Sequence, residues 1–366
     1  MKASLLKRHP RSLRAAATLT MLGLLAACSG GEVEADPGSP EQPSASNDSP
    51  DEEGGAPSAL PEAEGATEYP YTLATPWGET VLAERPERVV AVGGYGVDVQ
   101  LLLELGVTPI AANETGVTFS PYLAAAGGDE IEQLLPVSLN PLDPAEIVAA
   151  TEPDLLIAFD DLTDDYERLA SIAPVLASDI ELENYFDQSW QDQILLLGEA
   201  LDLRQRAEEV IAEHDQFLDT VIAAHPEFAG RTVTYAIWYG ADTDWGLTYA
   251  TRPGTASESF FLEIGFEPNP LAESFASESV VSLEQLSLID ADVLILNDSS
   301  GGRIDELLEE PLFQRVPVVQ EGNVVITSDP EDGSRNPIAW ALVVQGPLAI
   351  EYVVDNLVPD IAGALE

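Results

Sequence analysis

The chain of 366 residues sets 15 basic side chains against 65 acidic ones, for a formal charge of −50, at a mean hydropathy of +0.02. Acidity on this scale excludes nucleic acid and anionic lipid surfaces as partners, since both need basic patches. A single cysteine excludes any intramolecular disulfide.

In chain order, Lys2, Lys7, Arg8, Arg11 and Arg14 precede a short apolar run over 15–27. The run is too short to span a bilayer and ends in small residues, as export signals do. It closes on Leu25-Ala26-Ala27-Cys28, which resembles a bacterial lipobox, the motif in which a cysteine thiol is acylated and becomes the mature first residue. Residues 1–27 are therefore read as a lipoprotein signal peptide and Cys28 as the lipidation site. The expected location is the outer face of the cytoplasmic membrane, with a lipid as anchor. Residues 28–68 are rich in Ser, Pro, Gly, Ala, Asp and Glu and cannot bury enough apolar surface to offset their ordering entropy. They are expected to form a disordered acidic tether with an r.m.s. span of roughly 35 Å. Behind the signal, ten arginines and no lysine face all 65 carboxylates, a balance that suits salty surroundings where screening weakens self-repulsion.

The body reads as two similar α/β lobes, 69–201 and 227–366, joined by one long helix over 202–226. In the first, Arg88-Val89-Val90-Ala91-Val92-Gly93-Gly94 predicts a strand running into a glycine turn, followed by a helix over 97–105 and a strand over 107–112. Asp143-Pro144-Ala145-Glu146 opens a short helix, and 153–159 is a buried strand. The second lobe repeats the order: strand 232–239, helix 257–264, a short helix opened by Ser282-Leu283-Glu284-Gln285, and strand 291–296. With Glu146 placed on Glu284, Asp154 falls on Asp292 and Leu155 on Val293 without a gap. A strand at 324–326 and a helix over 347–357 close the chain. Apolar runs alternating with helices predict Rossmann-like lobes with mainly parallel sheets. Between the lobes, 203–224 has no Gly or Pro and carries an apolar stripe at Ala207, Val210, Ile211, Phe217, Leu218, Val221 and Ile222. Asp202 and Gln205 read as its capping box, and His225-Pro226 as its stop. This rigid rod spans roughly 33 Å. A ligand cleft is expected between the lobes, beyond the carboxyl ends of the strands.

Several runs together resemble the substrate-binding lipoproteins of ABC importers for ferric siderophores, haem and cobalamin. They are the residues from Arg85-Pro86-Glu87-Arg88 into Val92, Leu105-Gly106-Val107, Glu146 to Leu156, Val281 to Ile295, and Gly346-Pro347-Leu348-Ala349. The resemblance implies a receptor that captures a preformed chelate, does no covalent chemistry, and works as a monomer beside a permease and its ATPase. It also implies one exposed glutamate per lobe, Glu146 and Glu284, docking onto arginines of the permease. First-turn acids favoured by a helix dipole are the plain alternative for both.

Loops after the strands supply the candidate ligand-binding residues: Tyr95, Asn113 with Glu114, and Phe159 with Asp160 and Asp161 in the first lobe. In the second they are Trp238, Tyr239, Trp245, Tyr249, Arg252, Arg335 and Trp340. Aromatics clustered in loops suggest a binding surface, and Arg252 and Arg335 stand out among few cations. A structural role remains open for each aromatic, as does simple pairing with nearby acids for each arginine. Only His214 and His225 remain after processing, with no methionine, so direct metal ligation and most axial haem ligands are not expected. The expected ligand is a ferric siderophore, hydroxamate type for choice, with haem or cobalamin as alternatives and no resident cofactor. Remoter readings are a surface scaffold or adhesin, and a dinucleotide enzyme. The latter rests on Gly94-Tyr95-Gly96 with Glu114 beyond, but Val99 stands where the third glycine belongs.

Overall fold

A computed structural model of the protein describes residues 58–138, 142–178, 189–330 and 335–366. The signal peptide, Cys28 and most of the expected tether lie outside the described residues.

An antiparallel hairpin, β1 (Tyr71–Thr75) and β2 (Gly78–Leu82), precedes the first sheet. That sheet contains β3 (Val89–Ala91), β4 (Ala111–Asn113), β5 (Gln133–Leu135), β6 (Leu155–Ile157) and β7 (Val175–Leu176), all parallel in the order β5-β4-β3-β6-β7. Its helices are α1 (Val97–Glu104), α2 (Glu114–Thr118), α3 (Tyr122–Ala125), α4 (Ala145–Ala149), α5 (Tyr166–Ala170) and α6 (Trp190–Ala200). The rod follows as α7 (Arg204–Ala224). The second sheet contains β8 (Val233–Trp238), β9 (Leu247–Tyr249), β10 (Val280–Val281), β11 (Val293–Asp298) and β12 (Val324–Ser328), in the order β10-β9-β8-β11-β12. Strands β8, β11 and β12 are parallel, and β9 turns back against β8. Helices α8 (Ala256–Glu263), α9 (Asp305–Leu308), α10 (Pro317–Glu321), α11 (Pro337–Ala341) and α12 (Pro347–Ala364) complete this lobe. Two α/β lobes with separate, mainly parallel sheets are thus present.

Strand periodicity divides the core. Val89, Ala91, Leu155 and Ile157 share one hydrophobic cluster with Val233, Tyr235, Val293 and Ile295 of the other lobe and with Ala207, Val210, Leu218 and Val221 of α7, whereas Ile222 of the expected stripe is exposed. The alternate residues, Val90 and Leu156 in one lobe and Ala236 and Leu294 in the other, belong to two separate clusters. Each sheet is therefore covered on both faces, which is why its strands read as continuous apolar runs.

The internal duplication has a physical counterpart. Asp154 accepts the backbone N–H groups of Glu87 and Arg88, both at 2.8 Å, just before β3. Asp292, its aligned partner, accepts the N–H of Thr232 at 2.9 Å and Arg231 Nη1 at 2.7 Å, just before β8. The registers match as well, Val89 opposite Leu155 and Val233 opposite Val293. Helix α1 ends with Gly106 at φ 76° and the Val107 N–H on the Leu102 carbonyl; α8 ends with Gly265 at φ 105° and the Phe266 N–H on Phe261. These are matched glycine C-caps. The expected strand over 107–112 accordingly begins only at Ala111, because Val107 is occupied in closing the helix.

Four expectations are corrected. Asp202 does not cap α7: its backbone sits at φ 55° and its carboxylate accepts the N–H groups of Gly65, Ala66 and Thr67 at 2.8, 2.8 and 2.9 Å. Glu64 caps the helix instead, taking the N–H groups of Gln205 (2.7 Å) and Arg206 (2.9 Å). The last part of the expected tether, from Ser58 to Glu68, is accordingly held against the body by charged acceptors that composition does not reveal. Helix α12 runs on to Ala364 through Pro359, because Val358 and Ile361 behind it are buried and their packing outweighs one missing N–H. The short helix after Ser282 is a 3₁₀ helix, Leu283–Ile289.

Helix α7 is not the sole tie between the lobes. Buried Gln100 on α1 donates to the carbonyls of Val344 (3.1 Å) and Gln345 (3.4 Å), and its Oε1 accepts the Ala349 N–H of α12 at 3.4 Å. A side chain on Gly346 would run into that amide. Two helices and one buried amide thus oppose bending between the lobes.

Candidate functional site

The turns that follow β3 and β6 bring Tyr95 and Phe159 to the groove between the lobes. After β3 the chain folds through Gly93, whose N–H bonds Asp98 Oδ2 at 2.8 Å; a Cβ on Gly93 would meet that carboxylate. Gly96 sits at φ 82° with its backbone against Gly116, a conformation that favours glycine. This tight turn presents Tyr95 outward. Burial raises the pKa of Asp98 to about 7, partly offset by the Gly93 N–H, with Asp160 adding a smaller upward push. The Asp160 carboxyl is raised by its own burial and accepts the Gly94 N–H at 3.3 Å.

Across the groove Trp340 stacks on Tyr95, centroids 5.7 Å apart at 23°, and meets Phe119 edge-on at 5.3 Å. The Arg335 guanidinium lies 5.7 Å from the Trp340 ring and 5.9 Å from that of Phe119. One aromatic-cationic cluster therefore bridges both lobes. Its second-lobe half is held from below. Asn297 on β11 accepts from Thr327 Oγ1 (2.9 Å) and Asn336 Nδ2 (2.6 Å), and donates to Asp329 Oδ1 (3.2 Å), which also takes the Asn336 N–H (3.1 Å). Asn336 Oδ1 then caps α11 through the Ile338 N–H at 3.0 Å. This buried network sets the start of the helix that carries Trp340.

Beside the cluster and sharing Tyr95 with it, a pocket of about 320 Å³ opens between the lobes. Phe159 lines it from the first lobe, Trp190 and Gln191 from α6, and Ser259, Glu263 and Gln345 from the second lobe.

The structure brings together Tyr95, Phe159, Arg335 and Trp340 of the expected residues. Tyr239 is half-buried near them; burial raises its phenol pKa against the opposing pull of Arg335. Trp245, 62% exposed, lies 6.3 Å from the Tyr239 ring. Three expected residues do structural work instead. Asn113 is buried and spends its side chain on the Val92 and Val137 carbonyls, both 3.2 Å, and on the Thr115 N–H. Trp238 is buried in the second-lobe core and donates Nε1 to the Arg303 carbonyl at 3.2 Å. Tyr249 is fully buried, stacked on Phe275 at 4.5 Å with its hydroxyl 3.0 Å from that of Thr234. These aromatics follow strand alternation into the core, which proximity in sequence concealed. Arg252 and Arg335 form no ion pair among the described residues, unlike Arg168, Arg204, Arg206, Arg231 and Arg303. Phe119, Trp190, Ser259 and Glu263 were not anticipated. Only Phe119 carried a signal, as an aromatic in the segment after β4.

Glu146 on α4 and Glu284 on the 3₁₀ helix occupy equivalent places and are both exposed, with no ion pair among the described residues.

Two α/β lobes on a rigid tie, with an aromatic groove between them, define a solute-binding protein. Residues 89–330 match the family described as periplasmic binding protein, and the chain belongs to that family. Among curated relatives, it is 27% identical over 253 residues to the Fe(3+)-citrate-binding protein YfmC of Bacillus subtilis, covering 68% of this chain and 75% of that one. It is 22% identical over 302 residues to the ferric-anguibactin-binding protein FatB of Vibrio anguillarum, covering 80% and 87%. Among solved structures, Streptococcus pneumoniae PiaA in complex with ferrichrome superposes with a TM-score of 0.62 at 22% identity, over 80% of this chain and 98% of that one.

Proposed function

We propose that this protein is the extracytoplasmic receptor of an ABC importer, capturing a ferric siderophore in the interlobe groove and delivering it to the permease. The observation that carries the reading is the cluster of Tyr95, Phe119, Arg335 and Trp340, supplied by both lobes at once. Aromatic faces grip the organic shell of a chelate, and a guanidinium with no carboxylate partner among the described residues hydrogen-bonds its oxygens. The receptor itself does no covalent chemistry; an ATPase beside the permease supplies the energy. A hydroxamate complex, neutral or cationic, fits so acidic a body better than a highly anionic catecholate.

The test is a fluorescence titration with iron-loaded hydroxamates, catecholates, haem and cobalamin. Saturable tryptophan quenching is expected from ferric siderophores, strongest for hydroxamates. Failure of every siderophore, or tighter binding of haem or cobalamin, contradicts the reading.

Docking is assigned to Glu146 and Glu284, whose exposed carboxylates, with no ion pair among the described residues, stand one on each lobe and suit charge-assisted pairs with permease arginines. A Glu146→Ala, Glu284→Ala double variant is expected to bind chelate normally and to lower cellular uptake by roughly tenfold or more. Normal uptake removes the docking role. The anchor is a lipid on Cys28, so Cys28→Ala is expected to release the chain from the membrane fraction; retention there argues against it. The working unit is a monomer.

A further inference from the structure

The pocket beside the aromatic cluster has a character of its own. Of the described side chains lining it, Glu263 alone is a carboxylate, and none is a cation. Glu263 enters no ion pair among the described residues; Ser259 Oγ donates to its Oε1 at 3.2 Å, and its Oε2 has no hydrogen-bond partner among them. The other polar side chains described in its walls, Ser189, Gln191, Thr255, Ser259 and Gln345 among them, are neutral. Trp190, 5% exposed, adds an aromatic wall, and behind it the buried His214 ring stands edge-on at 4.9 Å. Burial favours neutral His214, so it supplies no competing cation. Burial also raises the Glu263 pKa, offset in part by the Ser259 hydrogen bond, with Asp215 of α7 adding a smaller upward push. A carboxylate and a tryptophan in the walls of one pocket are the chemistry that receives an ammonium group.

We infer that this pocket is a subsite for a protonated primary amine on one arm of the chelate, with Glu263 as the residue that selects it. The inference rests on the receptor reading above. Its geometry follows from Tyr95, which belongs both to the aromatic cluster and to the pocket wall. A chelate body held by Trp340 and Arg335 therefore extends an arm past Tyr95 toward Glu263. The groove is then polar along its length, cationic at one end and anionic at the other. A ligand with an amine arm satisfies the anionic end, whereas a blocked arm leaves the carboxylate buried and unpaired.

The experiment compares a ferric trihydroxamate that ends in a primary amine with the same complex acetylated on that nitrogen, by titration calorimetry at low ionic strength. The amine form is expected to bind roughly tenfold more tightly. Glu263→Gln is expected to abolish the preference, weakening the amine form and binding the acetylated form at least as tightly as the parent does, and Glu263→Asp to restore part of it. Equal affinity of the two complexes for the unaltered protein, or a preference that survives Glu263→Gln, overturns the subsite while the receptor reading stands. Failure of both complexes to bind overturns the hydroxamate reading and the subsite with it. Because Glu263 is only part-buried and glutamine is isosteric, thermal melting of the variant is expected to match the parent.

Discussion

Replacing Trp340 with alanine is expected to weaken chelate binding by roughly 100-fold, and Trp340→Phe by no more than a few-fold. Trp340 is 8% exposed and meets Tyr95, Phe119 and Arg335 at once, so it is the piece on which the two halves of the cluster converge. Truncation removes the stacking surface and the platform under the guanidinium together. Phenylalanine keeps a ring in the same place, and it gives up little hydrogen bonding, because the buried indole Nε1 has no partner in the described protein. Burial of this ring also supports the fold, and aromatic truncations in packed sites cost about 3–5 kcal/mol. Calorimetry with each variant, beside its melting curve, separates lost affinity from lost folding. Wild-type affinity in a folded Trp340→Ala protein contradicts the assignment of the groove.

The second large effect is expected far from the ligand. Asp202→Ala removes the acceptor for the Gly65, Ala66 and Thr67 N–H groups and places alanine at φ 55°, where aspartate is better tolerated. Each bond to a charged acceptor contributes about 1.5–3 kcal/mol, so a loss of about 4 kcal/mol and a fall in Tm of roughly 10 °C are expected. Burial pushes the Asp202 carboxyl up, but the N–H groups of Thr67, Gly65 and Ala66 and the charge of Arg85 outweigh it, leaving the folded-state pKa below the ordinary one. A depressed carboxylate pKa stabilises the fold above the unfolded value, near 4, and that contribution is lost as pH falls through the folded value. The variant is therefore expected to lose less stability than the parent between about pH 4 and pH 2. Hydrogen exchange at Gly65–Thr67 reads the local effect. Unchanged melting, with those amides still protected, argues against the staple.

The duplicated framework was legible because its signals are local. Val89-Val90-Ala91 and Val293-Leu294-Ile295 are apolar on both faces, the mark of strands covered on both sides, and the Glu-to-Asp spacing repeats in each lobe. The glycine turn after β3 and the glycine stops at Gly106 and Gly265 were likewise visible as residues that permit positive φ. The site was legible only in part. Tyr95, Phe159, Arg335 and Trp340 follow strand ends and face the groove, whereas Trp238 and Tyr249 sit in strands and alternate into the core. Glu263 gave no sign, because its place on an ordinary amphipathic helix does not reveal which wall of the groove that helix forms.

Composition and periodicity alone determined the acidic, two-lobed α/β chain and the rod between its halves. Each of those features depends on neighbours a few residues apart, whose sterics and apolar spacing are written in order along the chain. Tertiary structure decided what crosses long intervals. It paired Asp202 with residues 135–137 positions away, set Gln100 of one lobe against α12 of the other, and laid Trp340 on Tyr95. Such contacts form only when two separately folded sheets pack on a common core, and their energies depend on burial that no local spacing encodes.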